Sequence, residues 1–166
     1  HALIIDRIES AVGSLAALFD SLLDISRLDA GILQPQFKTV ALRPILQKLL
    51  IEHGPEANAK NLKFRFRCPD ISVRTDPLLL ERMIRNLLSN ALRYTNTGGV
   101  LIACRKRVAY VRIEVWDTGI GIASEKQAQV FEEFYQIGNA ERDRRHGVGL
   151  GLAIVTRIAA LLQHPL

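Results

Sequence analysis

The sequence predicts an α/β two-layer sandwich that is preceded by one long bundle-forming helix. A helical apolar pattern runs from residue 3 to about residue 30. Beyond it, short segments that alternate apolar and polar side chains occur between further helical segments, which is typical of strands and helices in one domain. Because helices that cover one face of a mixed sheet form two layers, this pattern favours a two-layer α/β fold.

The first predicted helix carries an apolar stripe of alternating four- and three-residue spacing, made of Ile4, Ile8, Ala11, Leu15, Leu18, Leu22 and Ile25. This spacing is that of a helical-bundle seam. Val12, Phe19 and Leu23 make the stripe wider than a two-stranded coil requires. We therefore expect a multi-helix dimer interface, with packing of the helix on its own domain as the alternative. Gly31 and Pro35 end the helix.

The later segments predict a mixed series of elements. In chain order these are a strand at 37–42, a helix at 44–60, strands at 62–68 and 71–75, a helix that begins after Asp76, strands at 100–106 and 108–116, a short helix at 124–134 and a helix at 150–162. Asp76 before Pro77 is a typical N-cap and first-turn pair. Ser124 and Gln127 have the spacing of a capping box. The polar stretch 136–146 predicts a mobile loop.

Composition limits the class of protein. With 166 residues, of which 48% are hydrophobic, the chain has room for one core, or for one domain with an appendage. No apolar run approaches the ~18 residues of a membrane span and no secretory signal is visible, so we expect a cytoplasmic domain whose parent protein can still be membrane-anchored. Cys68 and Cys104 are far apart in sequence, and we expect both to be reduced core or strand residues.

The net charge of +5 does not by itself predict a nucleic-acid partner. Lys63, Arg65 and Arg67 alternate with apolar residues, as expected for the solvent face of a strand. The basic residues 105–107 fit a hairpin turn. Because no nucleic-acid-binding module accompanies the charge, we expect no nucleic-acid partner.

Two carboxamides mark the helix that follows Asp76. Asn86 and Asn90 are four residues apart and share one helix face, with Arg93 one turn further on. Carboxamide oxygens are hard, neutral ligands, so this face suits a bound cation and phosphate oxygens. A solvated helix face is the alternative for these residues taken alone.

Three further blocks follow the carboxamides. Asp117 ends a predicted strand and precedes Gly119 and Gly121, which let the backbone turn tightly against a flat ligand. The block 131–135 contains two phenylalanines. The segment 147–151, Gly-Val-Gly-Leu-Gly, opens a helix whose free N–H groups and dipole favour anions. Each block alone is a weak signal, whereas the four blocks in this order and spacing form a specific one.

The four blocks resemble the N, G1, F and G2 boxes of the ATP-binding domain of sensor histidine kinases, in the superfamily that includes gyrase, Hsp90 and MutL. The resemblance extends over residues 36–163 and implies a Bergerat-type ATP-binding fold for a kinase domain at 36–166. Residues 1–35 resemble the second helix and the linker of the family's dimerisation domain. A P-loop motif does not occur in the sequence.

The resemblance implies ATP and Mg²⁺ as cofactors and gives roles to the first two blocks. Asn90 would supply an oxygen to Mg²⁺, with Asn86 nearby. Arg93 would pair with phosphate, and Tyr94 would help to wall the nucleotide. Asp117 would accept a hydrogen bond from the adenine amino group, for which an ionised carboxylate is a strong acceptor.

The rest of the implied nucleotide site is Gly119, Gly121, Ile122, Phe134, Gly147, Gly149, Leu150 and Gly151. In this assignment the first two glycines let the base approach the backbone, and the last three shape a lid hinge and the phosphate-facing start of a helix. Phe131 and Phe134 would anchor the base of the lid. Candidates for contact with the γ-phosphate within the lid are Arg142, Arg144, Arg145 and His146.

The residue at position 86 separates kinases from ATPases in this superfamily. Gyrase-like and Hsp90-like members carry a Glu where Asn86 stands, and that Glu activates water, which an amide cannot do. The resemblance therefore implies a histidine kinase that transfers the γ-phosphoryl of Mg-ATP to a histidine, for relay to an aspartate in the receiver domain of a response regulator. A non-catalytic nucleotide-binding or dimerisation module is the alternative, against which the intact Asn90 and Asp117 argue.

No catalytic residue is expected within the chain itself. The family's phosphoacceptor histidine is followed by an acidic residue and later by a proline, and none of the four histidines has those surroundings. We therefore expect no autophosphorylation by this chain alone, and homodimerisation through the N-terminal helix. Family members also continue beyond a segment like 163–165 into two more strands, which predicts an open sheet edge here.

Overall fold

The computed structural model describes residues 2–136 and 149–166. Helix α1 spans Ala2–Asp29 and is followed, in chain order, by β1 (Lys38–Ala41), α2 (Leu42–Ala59), β2 (Lys63–Arg67), β3 (Ser72–Thr75), α3 (Pro77–Tyr94), β4 (Gly99–Lys106), β5 (Val111–Asp117) and α4 (Gly151–Leu162). Two single 3₁₀ turns, Ser124–Lys126 and Gln129–Phe131, lie between β5 and α4. In these ranges no helix has the length and the apolar character needed to cross a membrane.

The strands form a three-stranded mixed sheet and a separate two-stranded ladder. In the mixed sheet β4 is central, with β2 parallel to it on one side and β5 antiparallel on the other. β1 and β3 pair antiparallel in the ladder. Val100 of β4 lies opposite Asp117, the last residue of β5. The start of β4 and the end of β5 therefore meet at the same end of the sheet.

The core lies between the helices and one face of the mixed sheet. Its most deeply buried side chains come from α2, α3, β4 and α4: Leu42, Leu46, Leu49, Leu80, Ile84, Leu88, Leu92, Val100, Ile102, Val155, Ile158 and Leu162. Each side chain of this size contributes about 1.5–3 kcal/mol when it leaves water. The buried residues of α3 are spaced by four and therefore lie on one face of the helix. Those of β4 are spaced by two and lie on one face of the sheet. The predicted two-layer α/β sandwich is therefore confirmed.

Helix α3 begins at a well-formed cap. Oδ1 of Asp76 accepts hydrogen bonds from the N–H groups of Leu78 at 2.9 Å and Leu79 at 3.1 Å. Its Oδ2 accepts from the N–H of Gln36 at 2.8 Å, so the same buried carboxylate also fixes the segment that leads into β1. The predicted N-cap at Asp76 is confirmed, and it is typically worth about 1 kcal/mol to the helix.

Helix α1 contacts the rest of the chain near its C-terminal end. Ile25 is buried in the common core, and Oδ1 of Asp29 accepts a hydrogen bond from Nε of Arg157 in α4 at 2.7 Å. Arg82 of α3 forms an ion pair with Asp24. Large apolar side chains of α1 that remain exposed are Ile8, Val12, Leu15, Phe19, Leu22 and Leu23. The domain therefore covers the apolar stripe only in part, and the dimer interface stays a prediction.

The segment after β5 differs from the expected short helix at 124–134. The chain forms two 3₁₀ turns instead, and the N-cap residue of the first turn is Ala123 and not Ser124. Gln127 donates from Nε2 to the carbonyl of Ile122 at 3.4 Å. Only Val130 in these two turns is buried, so the segment has no apolar face that would hold a longer helix on the core. The capping-box prediction is wrong, and most of the predicted loop at 136–146 lies outside the described residues.

His53 is a buried polar side chain of α2 that bears on the pH dependence of stability. Its Nε2 is buried without a hydrogen-bond partner among the described residues, and its Nδ1 lies 3.9 Å from Oε2 of Glu56. Burial lowers the pKa of His53 below its ordinary value of 6.5, and the carboxylate of Glu56 offsets part of that shift. The fold therefore keeps His53 neutral at a pH where the unfolded chain is already protonated.

We expect His53 to make a contribution to the free energy of unfolding that is fully present above pH 6.5. The contribution is lost as the pH falls through the lowered pKa, because the unfolded state binds the proton first. Urea unfolding of the wild-type chain and of His53→Gln, from about pH 7.5 to about pH 5, measures it. The wild-type free energy should fall more steeply on acidification, and parallel slopes would contradict a buried neutral His53.

Candidate functional site

The two carboxamides of α3 face the start of α4. Asn86 and Asn90 are both half-buried, and Nδ2 of Asn86 donates to the carbonyl of Arg82 at 3.1 Å. Gly151 begins α4 beside them: a Cβ placed on it would lie 3.4 Å from Oδ1 of Asn86 and 3.6 Å from Nδ2 of Asn90. The Asn90 carboxamide makes no hydrogen bond to another described residue. The amide oxygens of both side chains are therefore available to a ligand between the two helices.

The N-terminus of α4 adds electropositive backbone to this cleft. Its N-cap residue is Leu150, whose side chain has no acceptor for the free N–H groups, and the first turn contains no acidic residue. The first N–H groups of a helix lack intrahelical partners, and the helix dipole is positive at that end. Because both carboxamides lie beside this terminus, the cleft between α3 and α4 suits phosphate oxygens and a cation that they bind.

Asp117 lies at the second part of the candidate site, at the end of β5. Its side chain is exposed, and Oδ1 accepts a hydrogen bond from the N–H of Gly119 at 2.8 Å. Gly119 is in close contact with the end of α3, since a Cβ there would lie 2.5 Å from the carbonyl oxygen of Tyr94. The N–H of Ile120 donates to the same carbonyl at 3.3 Å. The carboxylate is thus fixed beside the end of the helix that carries the two carboxamides.

Thr118 anchors this loop and is a site residue that sequence reasoning missed. Its Oγ1 donates to the carbonyl of Thr97 at 2.8 Å and accepts from the N–H of Gly99 at 3.0 Å. Gly98 has a φ of 92°, and a Cβ on it would lie 2.2 Å from Thr118 Oγ1, so the turn requires glycine there. The sequence did contain a signal for this contact: a hydroxyl side chain directly after Asp117, and the pair Gly98-Gly99 at the start of β4, the strand that pairs with β5.

Lys60 is another residue that sequence reasoning missed. Its Nζ donates to the carbonyl oxygens of Leu92 at 2.7 Å and of Arg93 at 3.2 Å. The last carbonyls of a helix have no intrahelical partner, so Lys60 stabilises the final turn of α3. That turn holds the half-buried Arg93 and Tyr94, two of the predicted site residues. No local pattern connects Lys60 with α3, because the contact spans 32 residues of sequence.

The residues on either side of the 137–148 segment meet at one junction. The N–H of Phe134 donates to the carbonyl of Gly149 at 3.0 Å. Gly149 has a φ of 76°, and a Cβ on it would lie 2.8 Å from the carbonyl oxygen of Tyr135, so this position requires glycine. Phe134 has a φ of 61° and joins the junction through its backbone. The rings of Phe131 and Phe134 are 42% and 56% exposed, so neither is an ordinary core aromatic.

The remaining predicted site residues differ in their surroundings. Gly121 has a φ of 68° with open space around its Cβ position, and Ile122 beside it is 43% exposed. Leu150 is only 2% exposed and belongs to the core, so it places the start of α4 and does not offer its side chain to a ligand. Predicted residues that lie outside the described ranges are Arg142, Arg144, Arg145, His146 and Gly147.

Known proteins resemble the chain in both sequence and fold. The family model described as histidine kinase-, DNA gyrase B-, and HSP90-like ATPase matches residues 75–165. The chain is 30% identical to the sensor histidine kinase RcsC of Escherichia coli strain K12 in an alignment 165 residues long, which covers 95% of this chain and 17% of RcsC. The chain therefore spans less than a fifth of the length of this curated relative.

Solved structures that share the fold include two histidine kinases. Full-length ShkA in complex with AMPPNP aligns with a TM-score of 0.78 at 30% identity, covering 89% of this chain and 31% of ShkA. The Acinetobacter baumannii histidine kinase AdeS aligns with a TM-score of 0.82 at 22% identity, covering 98% of this chain and 75% of AdeS. The likeness to AdeS shows the fold alone.

Gly119 provides a test of the loop geometry. Replacement by Ala puts a Cβ 2.5 Å from the carbonyl oxygen of Tyr94 and 3.0 Å from its carbonyl carbon, and neither backbone atom can rotate away. We expect Gly119→Ala to lose about 1–3 kcal/mol of unfolding free energy in urea titrations, because the loop must move away from α3. Gly13→Ala is the matched control, since a Cβ there meets nothing within 4 Å. Wild-type stability of Gly119→Ala would contradict the described contact.

Proposed function

Because the chain belongs to the histidine kinase-, DNA gyrase B-, and HSP90-like ATPase family, we propose that it is the ATP-binding catalytic domain of a sensor histidine kinase. One observation carries this proposal: Asn86 and Asn90 face the start of α4, while the Asp117 loop rests on the last turn of the same helix α3. Eight residues of helix, about 12 Å, separate position 86 from position 94. That span suits a nucleotide with its base at one end and its phosphates at the other.

Adenine recognition is assigned to Asp117 in this proposal. The N–H of Gly119 binds Oδ1 and orients the carboxylate, which leaves Oδ2 for a ligand. An ionised carboxylate is a strong acceptor for the amino group of adenine. Guanine has a carbonyl oxygen at the corresponding position, and two acceptors facing each other repel. The site is therefore expected to prefer ATP to GTP, with Gly119, Gly121 and Ile122 alongside the base.

The phosphates are assigned to the cleft between α3 and α4. Asn90 supplies a hard amide oxygen to Mg²⁺, with Asn86 beside it, and Arg93 pairs with a phosphate. Bound Mg²⁺ would neutralise charge on the phosphate oxygens. The free N–H groups that follow Gly151 point toward the same oxygens. Outside this cleft, Tyr94 walls the nucleotide, and the proposed lid hinge consists of Phe134, Gly147, Gly149 and Leu150.

The chemistry at position 86 favours phosphoryl transfer over hydrolysis. Nδ2 of Asn86 is held by the carbonyl of Arg82, and an amide has no proton affinity near neutral pH with which to activate water. The γ-phosphoryl is therefore retained for a protein nucleophile. We assign that role to a histidine on another segment of the kinase, from which the phosphoryl group passes to an aspartate in the receiver domain of a response regulator.

The two described histidines beyond α1 are poor candidates for the acceptor. His53 is 9% exposed within the packed face of α2. Nε2 of His164 lies 3.0 Å from Oγ1 of the buried Thr75, at the end of the chain that follows α4. The domain is thus proposed to supply bound Mg-ATP, while the acceptor histidine is supplied from outside it.

Homodimerisation is assigned to α1. Val12, Leu15 and Phe19 are each at least 60% exposed on one stripe of this helix. Such a stripe is stable in water when further helices cover it, as in a helical bundle. In this proposal residues 1–35 are the second helix and linker of the dimerisation domain, and residues 36–166 are the ATP-binding kinase domain.

Calorimetric titration with Mg-ATP tests the nucleotide site. We expect the wild-type chain to bind ATP and Asp117→Ala to lose about tenfold to a hundredfold in affinity, because a charged hydrogen bond of about 1.5–3 kcal/mol disappears. Asp70→Ala is the matched control, since Asp70 is also an exposed aspartate and lies in the loop after β2. Phosphate release is measured in the same samples and should be negligible.

Three results would contradict the proposal. Equal ATP affinities of the wild-type chain and Asp117→Ala, in samples with the same folded fraction, would remove Asp117 from the adenine site. Rapid ATP turnover by the wild-type chain would replace the kinase assignment with that of an ATPase. Binding of GTP as tight as that of ATP would also exclude the proposed role of the carboxylate.

A further inference from the structure

The two cysteines, which are far apart in sequence, lie side by side in the fold. Arg67 and Ala103 are the last paired residues of the parallel strands β2 and β4. Cys68 and Cys104 are the residues that directly follow them in the sequence. The side chains are 6% and 5% exposed, and the Cys68 thiol donates to the carbonyl of Pro69 at 3.3 Å. They therefore form a buried pair of neighbouring thiols on adjacent strands, which the nucleotide site does not use.

The spacing of parallel strands is compatible with a covalent bridge between these residues. Neighbouring strands lie about 4.8 Å apart. Disulfides are found at Cα separations of about 4.4–6.8 Å. The alternation of buried and exposed residues puts Cys68 on the core face with Phe64 and Phe66, and Cys104 on the core face with Ile102. Both thiols thus extend toward the same side of the sheet.

Cys68 lies nearer to the edge of the sheet than Cys104 does. Cys68 follows the last residue of β2, which is an edge strand, and the next two residues, Pro69 and Asp70, are exposed. Cys104 lies in the central strand β4. Burial and the neighbouring Cys68 thiol raise the pKa of Cys104 to about 12, so Cys104 is protonated in the reduced pair and is not the first nucleophile. Local opening at the end of β2 therefore exposes the Cys68 thiol to a reagent before it exposes that of Cys104.

We propose that Cys68 and Cys104 are a redox-modification site, at which a low-molecular-weight disulfide such as glutathione disulfide converts the two thiols to an intrachain disulfide. The Cys68 thiolate attacks one sulfur of the reagent, which breaks the reagent's S–S bond and releases one glutathione thiol that takes the proton from Cys68. Cys104 then gives up its proton and attacks the Cys68 sulfur as a thiolate, which breaks the bond between Cys68 and glutathione. The released glutathione takes up the proton from Cys104. Two protein thiols are oxidised and one reagent disulfide is reduced.

The bridge would connect β2 to β4 at a distance from the nucleotide site. Cys104 lies four residues beyond Val100, the partner of Asp117, so the bridge is about 13 Å from that end of the sheet. The closed loop would contain β3 and α3, whose freedom in the unfolded chain the bridge would restrict. Oxidation is therefore expected to stabilise the fold without blocking the candidate ATP site.

The test uses the whole wild-type chain, treated under native conditions at about pH 8.5 with excess glutathione disulfide. We expect an intact mass lower by two hydrogen atoms, one cross-linked peptide containing both cysteines, and full reversal by a reducing agent. Thermal unfolding should shift upward by about 5–10 °C in the oxidised form. The affinity for Mg-ATP should be the same before and after oxidation.

Two variants separate the steps. Cys104→Ser should accumulate one glutathione adduct on Cys68, and Cys68→Ser should react far more slowly than the wild-type chain. A stable glutathione adduct on the wild-type chain without ring closure would overturn the proposal. So would the absence of any reaction in the folded state, or formation of the bridge only in urea.

Discussion

Helix α3 is packed into the core along one side, and this packing determines where its polar residues lie. Leu80, Ile84, Leu88 and Leu92 recur at every fourth position and are at most 2% exposed. A helix held along one such row has no freedom to rotate about its axis. The carboxamides on the neighbouring face are consequently fixed toward the start of α4. Asp76 at one end of α3 and Lys60 at the other stabilise its two termini.

The two parts of the candidate site depend on α3 in different ways. The cleft at α4 uses the side chains in the middle of the helix, whereas the Asp117 loop uses the backbone carbonyl at its end. Gly119 permits the loop to approach that carbonyl, and Thr118 fixes the loop to the start of β4. A shift of α3 would therefore disturb both parts together. This common support explains why one helix and one strand end suffice to hold groups suited to the two ends of a nucleotide.

Local patterns predicted the elements that local physics determines. The N-cap of α3 and the alternating strands were readable because each depends on residues close in sequence. The close contact of Gly149 with Tyr135 was not readable in this way, and Gly149 was assigned through the glycine-rich motif. Contacts made by Lys60 and Thr118 were not readable, since each joins segments whose proximity follows only from the packed fold. The adjacency of Cys68 and Cys104 depends on the choice of β4 as the parallel neighbour of β2. The expected helix at 124–134 was wrong: capping-box spacing was present, but the two turns that form there bury only Val130.

The central claim is that the α3–α4 cleft holds the phosphates of ATP together with Mg²⁺ through Asn90. The direct measurement is the ATP affinity of the wild-type chain, Asn90→Ala and Ser89→Ala, each titrated with Mg²⁺ and again with the metal chelated. The account predicts a gain of at least about tenfold on adding Mg²⁺ for the wild-type chain and for Ser89→Ala, and no gain for Asn90→Ala. The same gain in Asn90→Ala as in the wild-type chain would contradict it.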